Sequence, residues 1–293
     1  MSVSIGIGLA FVAMLCWGFG DFLIQRSTRK IGDWETLFVI TIFGVIILLP
    51  FVFGRINTLF STQGSGIWIL IASALVLTLA SMLEFESFKK GKLAIVEPII
   101  PFEIPTAFLL AFFVLHDKVS LGQTIFIILL IFGLCLVSFR EKSISKKFFL
   151  EKGVFLAFTG AAFMGIADFF LGWGSRVTDP ILANFVLNII MATVSGVMII
   201  SRGQIRHAVT DIMANRGLLL TMSIADNVAW VAYAFAMSIV PIAVATGLSE
   251  SSVIIAVMLG FFVNKERIQS HQKLGLILAI ISAIVLAAIT SAS

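Results

Sequence analysis

An all-α membrane protein of ten transmembrane helices is predicted by three features of this sequence. The chain is 59% apolar and only 12% charged over 293 residues, whereas a soluble domain carries about 25% charged residues. Its apolar residues fall into ten runs, each near the ~20 residues that a helix needs to cross a hydrocarbon core of about 30 Å. The runs are continuous rather than alternating, which excludes a transmembrane β-barrel.

The runs cover residues 4–25, 34–54, 67–88, 93–115, 121–139, 153–174, 180–201, 216–238, 242–263 and 272–291. No basic segment leads into the first, so it reads as an uncleaved span rather than a signal peptide. Connections are short, and the longest, Arg140 to Lys152, is basic and central. It divides the chain into a five-helix unit over 1–139, a linker loop over 140–152 and a second five-helix unit over 153–293. The halves resemble each other. Trp17-Gly18-Phe19-Gly20-Asp21-Phe22 aligns with Met164-Gly165-Ile166-Ala167-Asp168-Phe169, the same offset sets Gly6 on Gly153, and FVLHDKV (113–119) stands opposite FVNKERI (262–268). Five spans per half is an odd number, so the second half is expected to insert upside down. Inverted repeats place a transporter's substrate site near the midplane between them.

The net charge is +4 and the pI about 9.2, yet no basic stripe interleaved with aromatics appears, which argues against nucleic-acid binding. Instead the basic residues mark topology. Of 20 Lys and Arg, 17 lie on the side holding the loops after spans one, three, five, seven and nine. Only Arg55, Lys118 and Arg176 lie on the side holding both termini. The positive-inside rule predicts a multi-pass plasma-membrane protein with both termini outside. Cys16 and Cys135 lie inside apolar runs, far apart, as apolar filler rather than a disulfide or a zinc site.

Eight of the sixteen acids fall within the spans: Asp21, Glu84, Glu86, Glu97, Glu103, Asp168, Asp226 and Glu250. A carboxylate at the centre of a transmembrane helix costs roughly 2.5–3.5 kcal/mol, so most must face a cavity, carry a proton or sit near a boundary. Glu84, Glu86 and Glu97 lie within two turns of a cytoplasmic end and read as hydrated. Glu103, Asp226 and Glu250 are near mid-span, with Asp21 and Asp168 about a turn away at mirrored depths. Together they predict an acidic, partly wet cavity that prefers cations and exchanges them for protons, with hydrogen-bonded structural acids as the alternative.

Local patterns sharpen this. Asp226, Trp230 and Tyr233 share one face of span eight, an arrangement suited to an organic ammonium or to an aromatic stripe with the Tyr hydroxyl on Asp226. Trp17 and Asp21 repeat the i, i+4 spacing on span one. Pro98, Pro101 and Pro105 surround Glu103 and predict a broken helix at binding-site depth. GLSESS (247–252) packs small residues around Glu250, suited to close helix contact or to substrate. Gly6, Gly8, Gly18 and Gly20 read as packing contacts.

GLSESSVIIAVMLGFFVNKERI (247–268) followed by QKLGLILAIISAIVLA (272–287), and the first-half run from Glu97 through Gly133 with Pro101, Asp117 and Gly122, resemble the EamA type of the drug/metabolite transporter superfamily. The resemblance spans nearly the whole chain and implies ten helices as two repeats. It also implies transport of a small metabolite or drug, in most relatives outward and in some inward. Familiar relatives have both termini inside, a pattern from which the Lys and Arg count departs.

Nucleotide, metalloprotease and nucleophile-elbow motifs are all missing, and His116, His207 and His271 fall at loops or span ends. Neither an enzyme nor a metal or cofactor site is therefore expected. The sequence reading is a secondary transporter, an antiporter exporting a polar or cationic solute against protons. Its partners are that solute, protons and the lipid bilayer, and its oligomeric state is open. Uptake of a neutral nutrient, or a non-transporting receptor or assembly partner with the same fold, are the alternatives.

Overall fold

An apolar chain in lipid must satisfy its backbone hydrogen bonds within each segment, and helix is the simplest way to do so. The computed structural model describes residues 2–57, 65–90, 97–138, 152–255, 257–258 and 269–292, and among these there is no strand. Among the described residues, eight helices are long and apolar enough to cross a membrane. They are α1 (Val3–Ile31), α2 (Asp33–Val52), α3 (Ser65–Lys90), α5 (Leu121–Ser138), α6 (Lys152–Val177), α7 (Pro180–Ser201), α9 (Arg216–Ile239) and α11 (Ser270–Ala292). Two shorter apolar segments, α4 (Glu103–Val114) and α10 (Ile242–Ser249), stand where the fourth and ninth spans are expected.

Both short segments are interrupted, for different local reasons. Ahead of α4, residues Glu97–Phe102 form a 3-10 helix containing Pro101, and the α-helix begins only at Glu103. Pro105 sits in the first turn of α4, where a missing N–H costs little. The side chains of Glu97 and Pro98 lie outside the described residues. In α10 no proline is involved. Ser249 Oγ donates to Ala245 O at 2.7 Å and Ser251 Oγ to Gly247 O at 2.9 Å. Such back-bonds slightly weaken a helix, as at Thr41, Thr78 and Ser195 inside continuous helices, and here two of them flank a turn at Glu250, after which the helix resumes over 252–255.

A helix that the hydropathy pattern does not reveal, α8 (Ile205–Ala214), joins α7 to α9. Ile205, Val209 and Met213 are at least half exposed along one side of it, the spacing of a helix lying in a membrane interface.

The principal pairings run α3 along α6, α1 along α9, α2 on α7 and α5 on α11. If α1–α5 are exchanged for α6, α7, α9, α10 and α11, the α3–α6 pairing becomes α9–α1 and the α4–α6 pairing becomes α10–α1. The α2–α7, α5–α11 and α4–α10 pairings map onto themselves. Large apolar side chains cover the outside, among them Phe22 at 62% and Phe155 at 71% exposure. That surface suits lipid rather than water.

Small residues set the closest approaches. A Cβ on Gly133 would lie 2.7 Å from Ala279 N, and one on Gly275 would lie 2.8 Å from Gly133 O, so α5 and α11 meet backbone to backbone. On α1, Gly6 abuts Ile239 and Val240, and Gly18 abuts Ile255. Gly20 has only Ala225 at 3.7 Å, and Gly8, expected to pack, faces open space. Buried amides close the α2–α7–α9 seam: Asn227 Nδ2 donates to Ile40 O at 3.0 Å and to Ser223 O at 2.9 Å.

These contacts predict that Gly133→Ala or Gly275→Ala destabilises the bundle by about 1–3 kcal/mol, the usual cost of overpacking. Gly8→Ala is expected to leave stability unchanged. Thermal unfolding of the detergent-solubilised protein, followed by the fluorescence of its Trp residues, measures the difference.

Candidate functional site

The two helix interruptions bring carboxyl groups together. Glu103 opens α4, Glu250 terminates the first part of α10, and these segments pack on each other. Their carboxyls lie within hydrogen-bonding reach. Glu103 is 3% exposed, and its Oε1 is buried without a hydrogen-bond partner. Asp168 of α6, 2% exposed, lies close to Glu250 and within hydrogen-bonding reach of the Tyr233 phenol. Glu84 of α3 approaches Glu103, Glu250 and Asp226. Among the described residues no Lys or Arg pairs with any of these acids.

Aromatic side chains wall the cluster on the α1–α9 side. Trp17 meets Trp230 edge-on at 5.2 Å and Tyr233 at 5.1 Å between ring centres. The Trp230 indole N–H reaches the Asp226 carboxyl one turn earlier on α9. The Tyr233 hydroxyl is 2.7 Å from Thr246 Oγ1, and its ring lies near Asp168 rather than bonding to Asp226. The expected Tyr233–Asp226 bond is therefore absent, because the phenol reaches across to α6 and α10 instead of lying along its own helix.

The structure thus brings together Glu103, Glu250, Asp168, Tyr233, Trp17, Trp230 and, through Glu84, Asp226. It does not bring in Asp21, which lies at the edge of the buried face of α1 and is exposed. Pro101 and Pro105 lie beside Glu103 as expected. Hydropathy missed two participants. Glu84 looks hydrated from its distance to the span end, but α3 packs along α6 at Gly160, where a Cβ would sit 3.4 Å from Glu84 N, and that contact carries its carboxyl inward. Thr246 carries no sequence signal at all. A signal was present for the central pair: Glu103 and Glu250 are 147 residues apart, as are Asp21 and Asp168.

The wet cavity expected around the acids is small in this conformation. A void of about 10 Å³ is lined by Glu84, Ser87, Glu103, Gly160, Ala161 and Met164, room for about one water. A larger hollow of about 340 Å³ lies between Val3, Lys118, Gln123, Pro241 and Thr290, none of them an expected site residue. No group of three or more His, Cys, Asp or Glu among the described residues is placed to hold a metal.

On the side of the bundle that carries the α4–α5 and α9–α10 connections, Arg176 forms a latch. Its guanidinium is bidentate to Asp117, and its Nε and Nη2 donate to Met237 O at 2.8 Å and Val240 O at 3.0 Å. Asp117 Oδ2 also accepts from Ile242 N at 3.0 Å. Nearby, Asp179 caps α7 through Ile181 N and Leu182 N and pairs with Arg55 at 2.7 Å.

The sequence profile of the EamA-like transporter family matches this chain twice, over residues 4–139 and 151–288. The chain belongs to the EamA-like transporter family. Membership identifies a multi-pass membrane protein of a family that transports small solutes. A protein of known crystal structure superposes on this EamA-like chain with a TM-score of 0.73 at 13% identity, covering 96% of this chain and 95% of its own. That similarity shows the fold alone. No curated protein sequence matches the chain.

Gly165 supports the site from below: a Cβ there would lie 2.4 Å from Glu103 O and 2.6 Å from Thr106 Cβ. Gly165→Ala is therefore expected to push the start of α4 away from α6 and to cut transport by roughly tenfold or more, an effect of at least ~1.4 kcal/mol. Gly160→Ala, at an ordinary 3.4 Å contact, should be tolerated. Flux through reconstituted vesicles, normalised to folded protein, decides between them.

Proposed function

We propose that this EamA-like chain is a secondary transporter that exports a small cationic or polar organic solute in exchange for protons at the Glu103–Glu250–Asp168 cluster. One observation carries the reading: three carboxyls, Glu103 and Asp168 buried and Glu250 half-buried, converge without a basic partner among the described residues. Such a cluster must hold protons or an external cation, because uncompensated negative charge is costly in a low-dielectric interior. Competition between the two occupants for the same oxygens is sufficient for antiport. Trp17 and Trp230 supply π faces for an organic ammonium.

In this reading the chain forms ten spans, with α4 and α10 each crossing as interrupted helices, and the two halves are inverted repeats. The pairing pattern that is unchanged by exchanging the halves supports it, as does the 147-residue register of both Glu103 with Glu250 and Asp21 with Asp168. The face bearing the Arg176 latch is outside, in keeping with the few basic residues there. The enclosed cluster and small void correspond to an occluded state. Solute enters when the halves rock apart on the cytoplasmic side, displaces protons, and is displaced by protons once the latch side opens. The coupling requirement is that the carboxyls never open to the other side both unprotonated and without solute.

A thermal-shift screen of amines, amino acids and neutral metabolites identifies a ligand by its mass-action stabilisation. Vesicles reconstituted with the protein and loaded with a pH-sensitive dye then test exchange. The expected result is solute-dependent proton movement that slows by roughly tenfold or more, at least ~1.4 kcal/mol, in Glu103→Gln and Glu250→Gln. Flux of an uncharged sugar or nucleoside that ignores the pH gradient would replace this reading with neutral-nutrient uptake. Ligand binding without flux would replace it with a receptor.

A further inference from the structure

Six cations converge at the end of the bundle opposite the Arg176 latch. Arg26, Arg29 and Lys30 lie in the last two turns of α1, Arg202 follows α7, Arg206 stands in the first turn of α8, and Arg216 opens α9. All six are exposed, whereas the acids of the same two stretches, 26–35 and 202–216, are not: Asp33 and Asp211 are half-buried and Glu35 is buried. Among the described residues none of the six pairs with a carboxylate. The exposed charge of these stretches is therefore of one sign.

Contacts hold them together as one surface. Lys30 Nζ donates to Asn215 Oδ1 at 3.2 Å, tying the end of α1 to the α8–α9 junction. The Arg202 guanidinium lies 5.7 Å from the centre of the Trp34 ring, over its face. Gly203, in the left-handed region at φ 66°, turns the chain from α7 into α8, with Gly203 N donating to Ile200 O at 2.9 Å and Gln204 N to Ile199 O at 3.2 Å. Ala208 is buried, so one side of α8 rests on the bundle. Next to that side runs the apolar strip of Ile205, Val209 and Met213, exposed by 50%, 55% and 63%. At about 100° per residue, Arg206 borders the outer edge of the strip and Asp211 falls on the far side of the helix.

We propose that α8, with the adjoining ends of α1, α7 and α9, is a docking surface for anionic phospholipid headgroups of the leaflet it borders. The fit is one of depth and of charge. The apolar strip seats α8 at the boundary between acyl chains and headgroups, which brings Arg206 to headgroup level. Arg202 and Arg216 flank the helix at its two ends, and guanidinium groups take phosphate oxygens in pairs. A zwitterionic headgroup carries its own cation and gains little from this surface, whereas an anionic one is attracted by every exposed cation on it.

Lipid docking here is independent of the transport reading, and its test needs no solute. The full chain is equilibrated in vesicles of equal phosphatidylglycerol and phosphatidylcholine and extracted in mild detergent, and the lipids it retains are counted by native mass spectrometry. Each cation held at a membrane surface is worth about fivefold in affinity, so retained phosphatidylglycerol should exceed phosphatidylcholine by about fivefold or more. Exposed charges are screened, so the preference should fade between about 0.1 M and about 0.5 M salt. Arg202→Gln/Arg206→Gln/Arg216→Gln should retain the two lipids almost equally, and Arg206→Gln alone should lie between it and wild type. Lys118→Gln, an exposed cation at the latch end, should keep the wild-type preference. Equal retention by wild type, a preference indifferent to salt, a triple variant that selects like wild type, or a Lys118→Gln loss as large as the triple variant's overturns the proposal. Should the triple variant not fold, the salt series and Arg206→Gln decide it in the same way.

Discussion

Negative charge enclosed by helices that face lipid needs a counterpart, and the architecture of this chain turns on how that need is met. Glu103, Glu250 and Asp168 are brought together where no Lys or Arg among the described residues reaches them. A contact between two carboxyls is stable only with a proton between them. In the function we propose, protons or a cationic solute occupy this place.

The helix interruptions follow from the same need. A continuous helix directs its backbone polar groups along its own axis, whereas a broken one frees a carboxyl and its neighbours to face a helix from the other half. A proline-containing 3-10 segment lies ahead of Glu103, and a turn flanked by two back-bonding serines lies at Glu250. Glycines at the α4–α6 and α5–α11 crossings allow the close approach on which this arrangement depends. On one face Arg176 ties α6 to the α4–α5 and α9–α10 connections. It is a charged group used where water and backbone carbonyls can share its solvation.

Much of this was legible in the linear chain. The long helices follow from runs of apolar residues, because length and hydropathy are local quantities. Glu103 and Glu250 were singled out by depth alone, and the prolines marked the first interruption. The second interruption was not legible, since its serines resemble packing residues until their hydroxyls are seen bonding backward. Glu84, which reads as hydrated from its distance to a span end, is half-buried and lines the small void beside Glu103, because that distance says nothing about which neighbour a helix packs on. Asp21 and Asp168 share a register but not an environment: one is exposed and the other buried, a difference set by the helices packed around each. The Tyr233 hydroxyl went to Thr246, on another helix, rather than to the acid on its own face.

By itself, then, the order of residues determined a membrane-embedded helical chain with two similar halves and too many acids for lipid to tolerate, since these depend only on what each segment can satisfy alone. Tertiary structure decided which acids meet, which aromatic ring lies against which carboxyl, and which connections the Arg176 latch ties together. Those outcomes depend on distances between segments up to 147 residues apart, and only packing sets them.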